Sequence, residues 1–131
     1  MDANRLCLLL TSGELERVQL AAMLASVASV SGSEVDLFVS MNAVLFFKKG
    51  TTPQEVPVGG ALGKLICTRN VPAFADLFRQ GKALGSLRVY ACAMVMDLLG
   101  WHKEDLEDFF DDVIGLSAFL GKAEGAQLTV I

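Results

Sequence analysis

Leu87-Arg88-Val89-Tyr90-Ala91-Cys92-Ala93-Met94-Val95-Met96-Asp97-Leu98-Leu99-Gly100 changes character in its middle. Leu87 to Ala91 is a short, mainly apolar run of the kind that forms a strand buried in a parallel sheet. Met94 to Leu99 begins a helix directly after Cys92, and Gly100 is the residue type that ends one. A strand that feeds straight into a helix is the repeating unit of an α/β fold, and here the junction carries a thiol.

The same alternation extends to both sides. Arg5 to Leu10 is an apolar run suited to a first inner strand, and Glu34 to Val39 to a second. Between them, Thr11-Ser12-Gly13-Glu14 has the spacing of a capping box, and a helix is expected from about Leu15 to Val30. That helix is apolar or small nearly all round, so it should pack on the sheet on one side and on another helix or subunit on the other. Ser40-Met41-Asn42 forms a turn, Ala43 to Lys49 a short helix, and Gly50 to Gly63 a long aperiodic loop with two prolines. The pattern leaves open whether Lys64 to Thr68 is a short strand. Pro72 fits a first helical turn, with Phe74, Leu77 and Phe78 on one face and Leu84-Gly85 at the end. Leu106, Phe109, Phe110, Val113 and Ile114 recur at helical spacing, with the helix resuming over Leu116 to Lys122 and a last strand over Gln127 to Ile131. The expected fold is a single α/β domain, residues 1–131, of three layers around a doubly wound, mainly parallel sheet in a flavodoxin-like arrangement.

Composition bounds the function. The chain has 131 residues, 53% of them hydrophobic and 20% charged, with a mean hydropathy of +0.48, so some apolar surface is expected to be buried between subunits. A net charge of −4 argues against a nucleic-acid backbone as partner. No secretory leader pattern opens the chain and no run is long enough to span a bilayer, which points to the cytoplasm without stable membrane insertion. The cysteines Cys7, Cys67 and Cys92 are odd in number and far apart, which suits a reducing compartment and makes neither a disulfide framework nor a metal site. No cofactor is expected.

Sites in open parallel sheets form beyond the carboxyl ends of the strands. If the first strand neighbours the Leu87–Ala91 strand, Cys92 faces Thr11 and Ser12, with Ser40, Met41 and Asn42 alongside. The helix that starts at Ala93 and Met94 would then present amides to a negative sulfur, to a persulfide or to an anionic sulfur donor. Placement alone leaves a second reading open, in which Cys92 is a small buried hydrophobe. Cys7 reads as core, and Cys67 borders the long loop among apolar neighbours. Lys64 and Arg69 would attract an anion to the mouth of the site, or are solvated surface charges. Gly59-Gly60-Ala61-Leu62-Gly63-Lys64 approaches a phosphate loop but lacks glycine at Val58 and Ser or Thr at Leu65, which excludes nucleotide binding by that route. His102, the only histidine, reads as solvent-facing, able to pair with Cys92 only if the chain folds back, and the acids Glu104, Asp105, Glu107, Asp108, Asp111 and Asp112 read as the wet face of an amphipathic helix, with a docking surface for a basic partner as the alternative.

Val89-Tyr90-Ala91-Cys92-Ala93-Met94-Val95-Met96-Asp97-Leu98-Leu99-Gly100, followed by Lys103-Glu104-Asp105-Leu106, resembles the DsrE/DsrF/TusD-like family of sulfur-relay proteins, and within it the branch labelled peroxiredoxin-like. The order of elements agrees over nearly the whole chain, but only the Cys92 block is specific. The resemblance implies a persulfide-carrying cysteine at Cys92, homo-oligomers such as trimers or hexamers, and sulfur exchange with a TusA-like carrier or a rhodanese. Some relatives carry a second cysteine shortly after the first. Here that region reads Leu99-Gly100-Trp101-His102, which argues against an internal two-cysteine mechanism. No peroxidatic motif is present, and peroxidase activity is not expected. The resulting expectation is a sulfur carrier or sulfurtransferase holding persulfide or thiosulfonate on Cys92. A non-catalytic oligomeric scaffold and a small-ligand-binding module of the same fold are the alternatives.

Overall fold

Apolar residues dominate β1 (Arg5–Leu10) and β2 (Glu34–Val39), with Asp36 the one charge inside either run, and such strands are stable only with a neighbour on each edge and cover on each face. In the computed structural model, which describes residues 4–52 and 59–131, both lie inside a sheet of five strands. The others are β3 (Ser86–Cys92), β4 (Asp112–Ile114) and β5 (Gln127–Val130), in the order β4-β3-β2-β1-β5 with every pairing parallel. The expected contact between β1 and the Cys92 strand is therefore absent, because β2 lies between them. The chain steps in one direction from β1 to β4 and crosses back only to place β5, so winding reverses between β1 and β5.

Register divides the side chains between two faces. Leu8, Leu37 and Val89 are aligned across β1, β2 and β3 and point one way, as do Leu10, Val39 and Ala91. Helices α1 (Leu15–Val30) and α3 (Phe74–Leu84) cover that face and pack on each other. Gly85, after α3, lies so close to the Ser29 backbone that a Cβ there would overlap it. Leu9, Phe38 and Tyr90 point the other way, together with Cys7, Asp36 and Arg88. Among the described residues, α5 (Leu116–Lys122) is the one helix that covers this second face, through Phe119 stacked on Phe38 at 4.9 Å. Helices on both faces complete a three-layer α/β structure.

Several local expectations are corrected. Glu14, not Thr11, is the N-cap of α1, and no side chain caps it. The Thr11 hydroxyl donates instead to the Ile131 carbonyl at 3.2 Å, and Ser12 Oγ accepts from the Glu14 N–H at 3.0 Å. The short helix after β2 is a 3₁₀ segment, Met41–Phe47, starting two residues earlier than expected. Of the long loop, residues 53–58 lie outside the described residues, and Ala61–Thr68 is helix α2, neither loop nor strand. Its start is held from afar: the N–H groups of Gly59, Gly60 and Gly63 donate to the Glu16 carboxylate of α1 at 3.1, 2.7 and 3.3 Å. The glycine stretch that resembles a phosphate loop thus encloses a carboxylate of the protein itself. Pro72 precedes α3, whose N-cap is Ala73.

The largest correction concerns Leu106 to Ile114. No helix forms there: a 3₁₀ turn (Lys103–Asp105) leads to the edge strand β4. The apolar spacing serves packing, with Phe109 and Phe110 meeting Phe47 at 6.0 and 5.3 Å. Three of the acids, Glu107, Asp108 and Asp111, are anchors, and no helical face exists for the set to form. Glu107 and Asp108 pair with Arg79, and Asp111 accepts from Lys82 and from the Val89 N–H.

Candidate functional site

Strand β3 runs straight into α4 (Ala93–Leu99), with Cys92 both the last strand residue and the helix N-cap. The turn is tight because no loop intervenes, and Gly100, in the left-handed region at φ 69°, ends the helix after seven residues. Alternation along β3 puts Cys92 on the same face as Tyr90, the face that α5 covers only in part.

A cavity of about 230 Å³ opens there at the carboxyl end of the sheet. Three strands supply its wall two residues apart: Leu9 and Thr11 from β1 and the residue following it, Phe38 and Ser40 from β2 and its exit, and Cys92 from β3. Met41 and Met94 form one rim, both about half exposed, and Gly115 and Leu116 at the start of α5 form the other. The Cys92 residue is 6% exposed, so the thiol is reached through this cleft and not from the open surface.

The structure brings together Cys92, Thr11, Ser40, Met41 and Met94 as the sequence suggests, although β2 separates the first and third strands. Ser12, Asn42 and Ala93 do not line the cleft. Asn42 is exposed and lies against Gly13, while Ala93 is half-buried. Lys64, Cys67 and Arg69 sit on or just beyond α2, which packs on α1. Arg69 lines a separate apolar groove of about 510 Å³ between those two helices. His102 is exposed and caps the 3₁₀ turn that follows it. Cys7 is core, its thiol pushed up by burial and secondarily by the Asp36 carboxylate, which makes it inert. Leu9, Phe38, Gly115 and Leu116 were missed. Leu9 and Phe38 were findable, since each stands two residues before a residue singled out on the same strand path.

Two features define what the cleft offers. Among the described residues, none that lines it is charged. Of its two hydroxyls, Thr11 has committed its proton to Ile131, whereas Ser40, only 5% exposed, has no hydrogen-bond partner among the described residues and does not cap the 3₁₀ segment it precedes. Its neighbour Met41 holds φ 52°, the one left-handed non-glycine residue described, a conformation that costs of order 1–3 kcal/mol and tends to mark functional loops. Among the described residues no cluster of His, Cys, Asp or Glu is arranged to hold a metal ion, and no helix is long and apolar enough to cross a membrane.

Comparison with solved structures shows the same fold. The protein of unknown function MTH1491 from Methanobacterium thermoautotrophicum superposes with a TM-score of 0.66 over 97% of this chain and 98% of its own, at 14% identity. The ychN protein from E. coli superposes with a TM-score of 0.63 over 97% and 99%, at 15% identity. No curated protein sequence matches. The family model described as DsrE/DsrF/DrsH-like matches residues 59–131, a segment that runs from α2 through β5 and contains the whole Cys92 junction. With more than half its length matched, the chain belongs to the DsrE/DsrF/DrsH-like family.

Proposed function

We propose that this protein is a cytoplasmic sulfur carrier or sulfurtransferase in which Cys92 accepts sulfane sulfur, holds it as a persulfide or thiosulfonate, and passes it to the thiol of a partner. The observation that carries this reading is the place of Cys92 in the wall of the cleft at the carboxyl end of the sheet, where α/β proteins bind their ligands. Cys7 is buried inside β1 and Cys67 lies on α2 away from the cleft, so one thiol is placed for exchange. Three cysteines without a disulfide suit a reducing compartment.

Exchange requires partners. A TusA-like carrier or a rhodanese fits the family's chemistry, and so does assembly into a trimer or hexamer. The outer side of α1 exposes Leu20, Met23, Val27 and Val30, with Val27 at 66%, beside the groove formed with Leu62 and Leu65 of α2. Contiguous apolar surface of this kind favours association. The same observation supports the rival reading of a non-catalytic oligomeric scaffold.

Incubation of the purified protein with a sulfane sulfur donor is expected to add sulfur to Cys92, read by intact mass and peptide mapping. Cys92→Ser should abolish the adduct while changing stability by less than about 1 kcal/mol. No adduct on folded protein, or one that persists in Cys92→Ser, rejects the relay and leaves the scaffold.

A further inference from the structure

Resting on the reading of Cys92 as a sulfur acceptor, we infer that its cleft selects an organic persulfide, R–S–SH with an uncharged apolar R group, over oxyanion donors such as thiosulfate, and that Ser40 is the residue that hydrogen-bonds the departing sulfur of the donor. Two independent observations meet here. The first is the wall: Leu9, Phe38, Met41, Met94 and Leu116 surround the thiol, and among the described residues none that lines the cleft carries a charge. A sulfonate drawn in beside Cys92 would lose hydration with no cation to replace it, whereas an apolar R group gains by the same burial. The second is Ser40. Its side chain lines the cavity, the residue is 5% exposed, and the hydroxyl has no partner among the described residues. The hydroxyl is accessible within the cleft and uncommitted, so it can complete its bonding with a bound ligand, and a single neutral donor suits a sulfur anion without demanding a full oxyanion.

The step balances without an oxidant or reductant. The Cys92 thiol loses its proton and the thiolate attacks the outer sulfur of R–S–SH. A new bond forms between Sγ and that sulfur as the donor's S–S bond breaks. The electron pair leaves on R–S⁻, which receives the hydrogen bond of Ser40 and then the proton given up by Cys92. The products are the Cys92 persulfide and R–SH.

The test compares rates of adduct formation on the intact protein with benzyl persulfide and with thiosulfate, each divided by the rate of the same donor with a free small thiol in solution. The normalised rate is expected to favour benzyl persulfide by about tenfold or more, which corresponds to about 1.4 kcal/mol. Ser40→Ala should slow the benzyl persulfide reaction roughly tenfold while leaving alkylation of Cys92 by iodoacetamide unchanged, which a merely structural role would not produce. Leu116→Lys, on the half-exposed rim, should bring a cation to the cleft and raise the relative rate with thiosulfate several-fold. Equal or faster reaction with thiosulfate overturns the selectivity, and an unchanged rate in Ser40→Ala overturns the role of the hydroxyl, in both cases with the relay itself standing. No reaction with either donor, while iodoacetamide still alkylates Cys92, overturns the relay instead.

Discussion

The two faces of the sheet are built by different rules. On one, α1 and α3 lie side by side over Leu8, Leu37 and Val89, and the aromatic set around Phe47, which touches Phe74, Phe78, Phe109 and Phe110, closes the end. On the other, a single seven-residue helix, α5, rests on Phe38 and leaves the carboxyl end open as the Cys92 cleft. Its amino end carries charges, Asp36 and Arg88, where the first face carries none. The difference teaches where stability and chemistry reside: a face packed to interior density has no room for a ligand, and a face covered by one short helix has room but contributes less to holding the fold.

Truncation in the aromatic set is the largest test of that contrast. Phe47→Ala should destabilise by about 3–5 kcal/mol, because the surrounding rings cannot collapse into the space left. Phe38→Ala, equally buried but on the open face, should cost less, about 2 kcal/mol, since the space it leaves merges with an existing cleft. Equal losses in urea unfolding would break the comparison.

A smaller effect separates the faces by pH. Glu16, on the closed side, has its carboxyl held below the usual 4.5 by its own backbone N–H and then by those of Gly60, Gly59 and Gly63, against an opposing effect of burial. Its clasp is therefore fully present above pH 4.5 and is lost as pH falls through the lowered value. In Glu16→Gln that acid-sensitive part of the urea midpoint should disappear. Asp36, on the open face, has the opposite sign. Burial raises its carboxyl above the usual 3.8, with Arg88, Lys122 and Arg5 opposing, so ionisation costs stability as pH rises from 3.8 through the raised value. Asp36→Asn should remove that cost and leave the protein at neutral pH as stable or more so, by no more than about 1 kcal/mol, which thermal unfolding at several pH values would measure.

Much of the contrast was legible in the residues. The bounds of β1, α1 and β2 follow from apolar runs and turn residues, and the β3–α4 junction from Cys92 and Gly100. Strand order was not legible, because periodicity reports which faces are buried and not which strands are neighbours. Helix α2 was missed because its start depends on Glu16, more than forty residues earlier, and no local rule sees that bond. Leu106 to Ile114 misled for a physical reason: side chains spaced to meet Phe47 from an irregular segment imitate the face of a helix. At the site, the thiol and hydroxyls were found from strand ends, while Gly115 and Leu116 enter only through the packing of α5.

The Glu16 clasp also joins two stretches that differ in ancestry signal. Its acceptor lies before the family-matched segment, and its first donor, Gly59, is the opening residue of that segment. Any chimera that grafts residues 59–131 behind a foreign amino-terminal half must therefore import a carboxylate at the same point on the partner helix, or its glycines will face an empty socket.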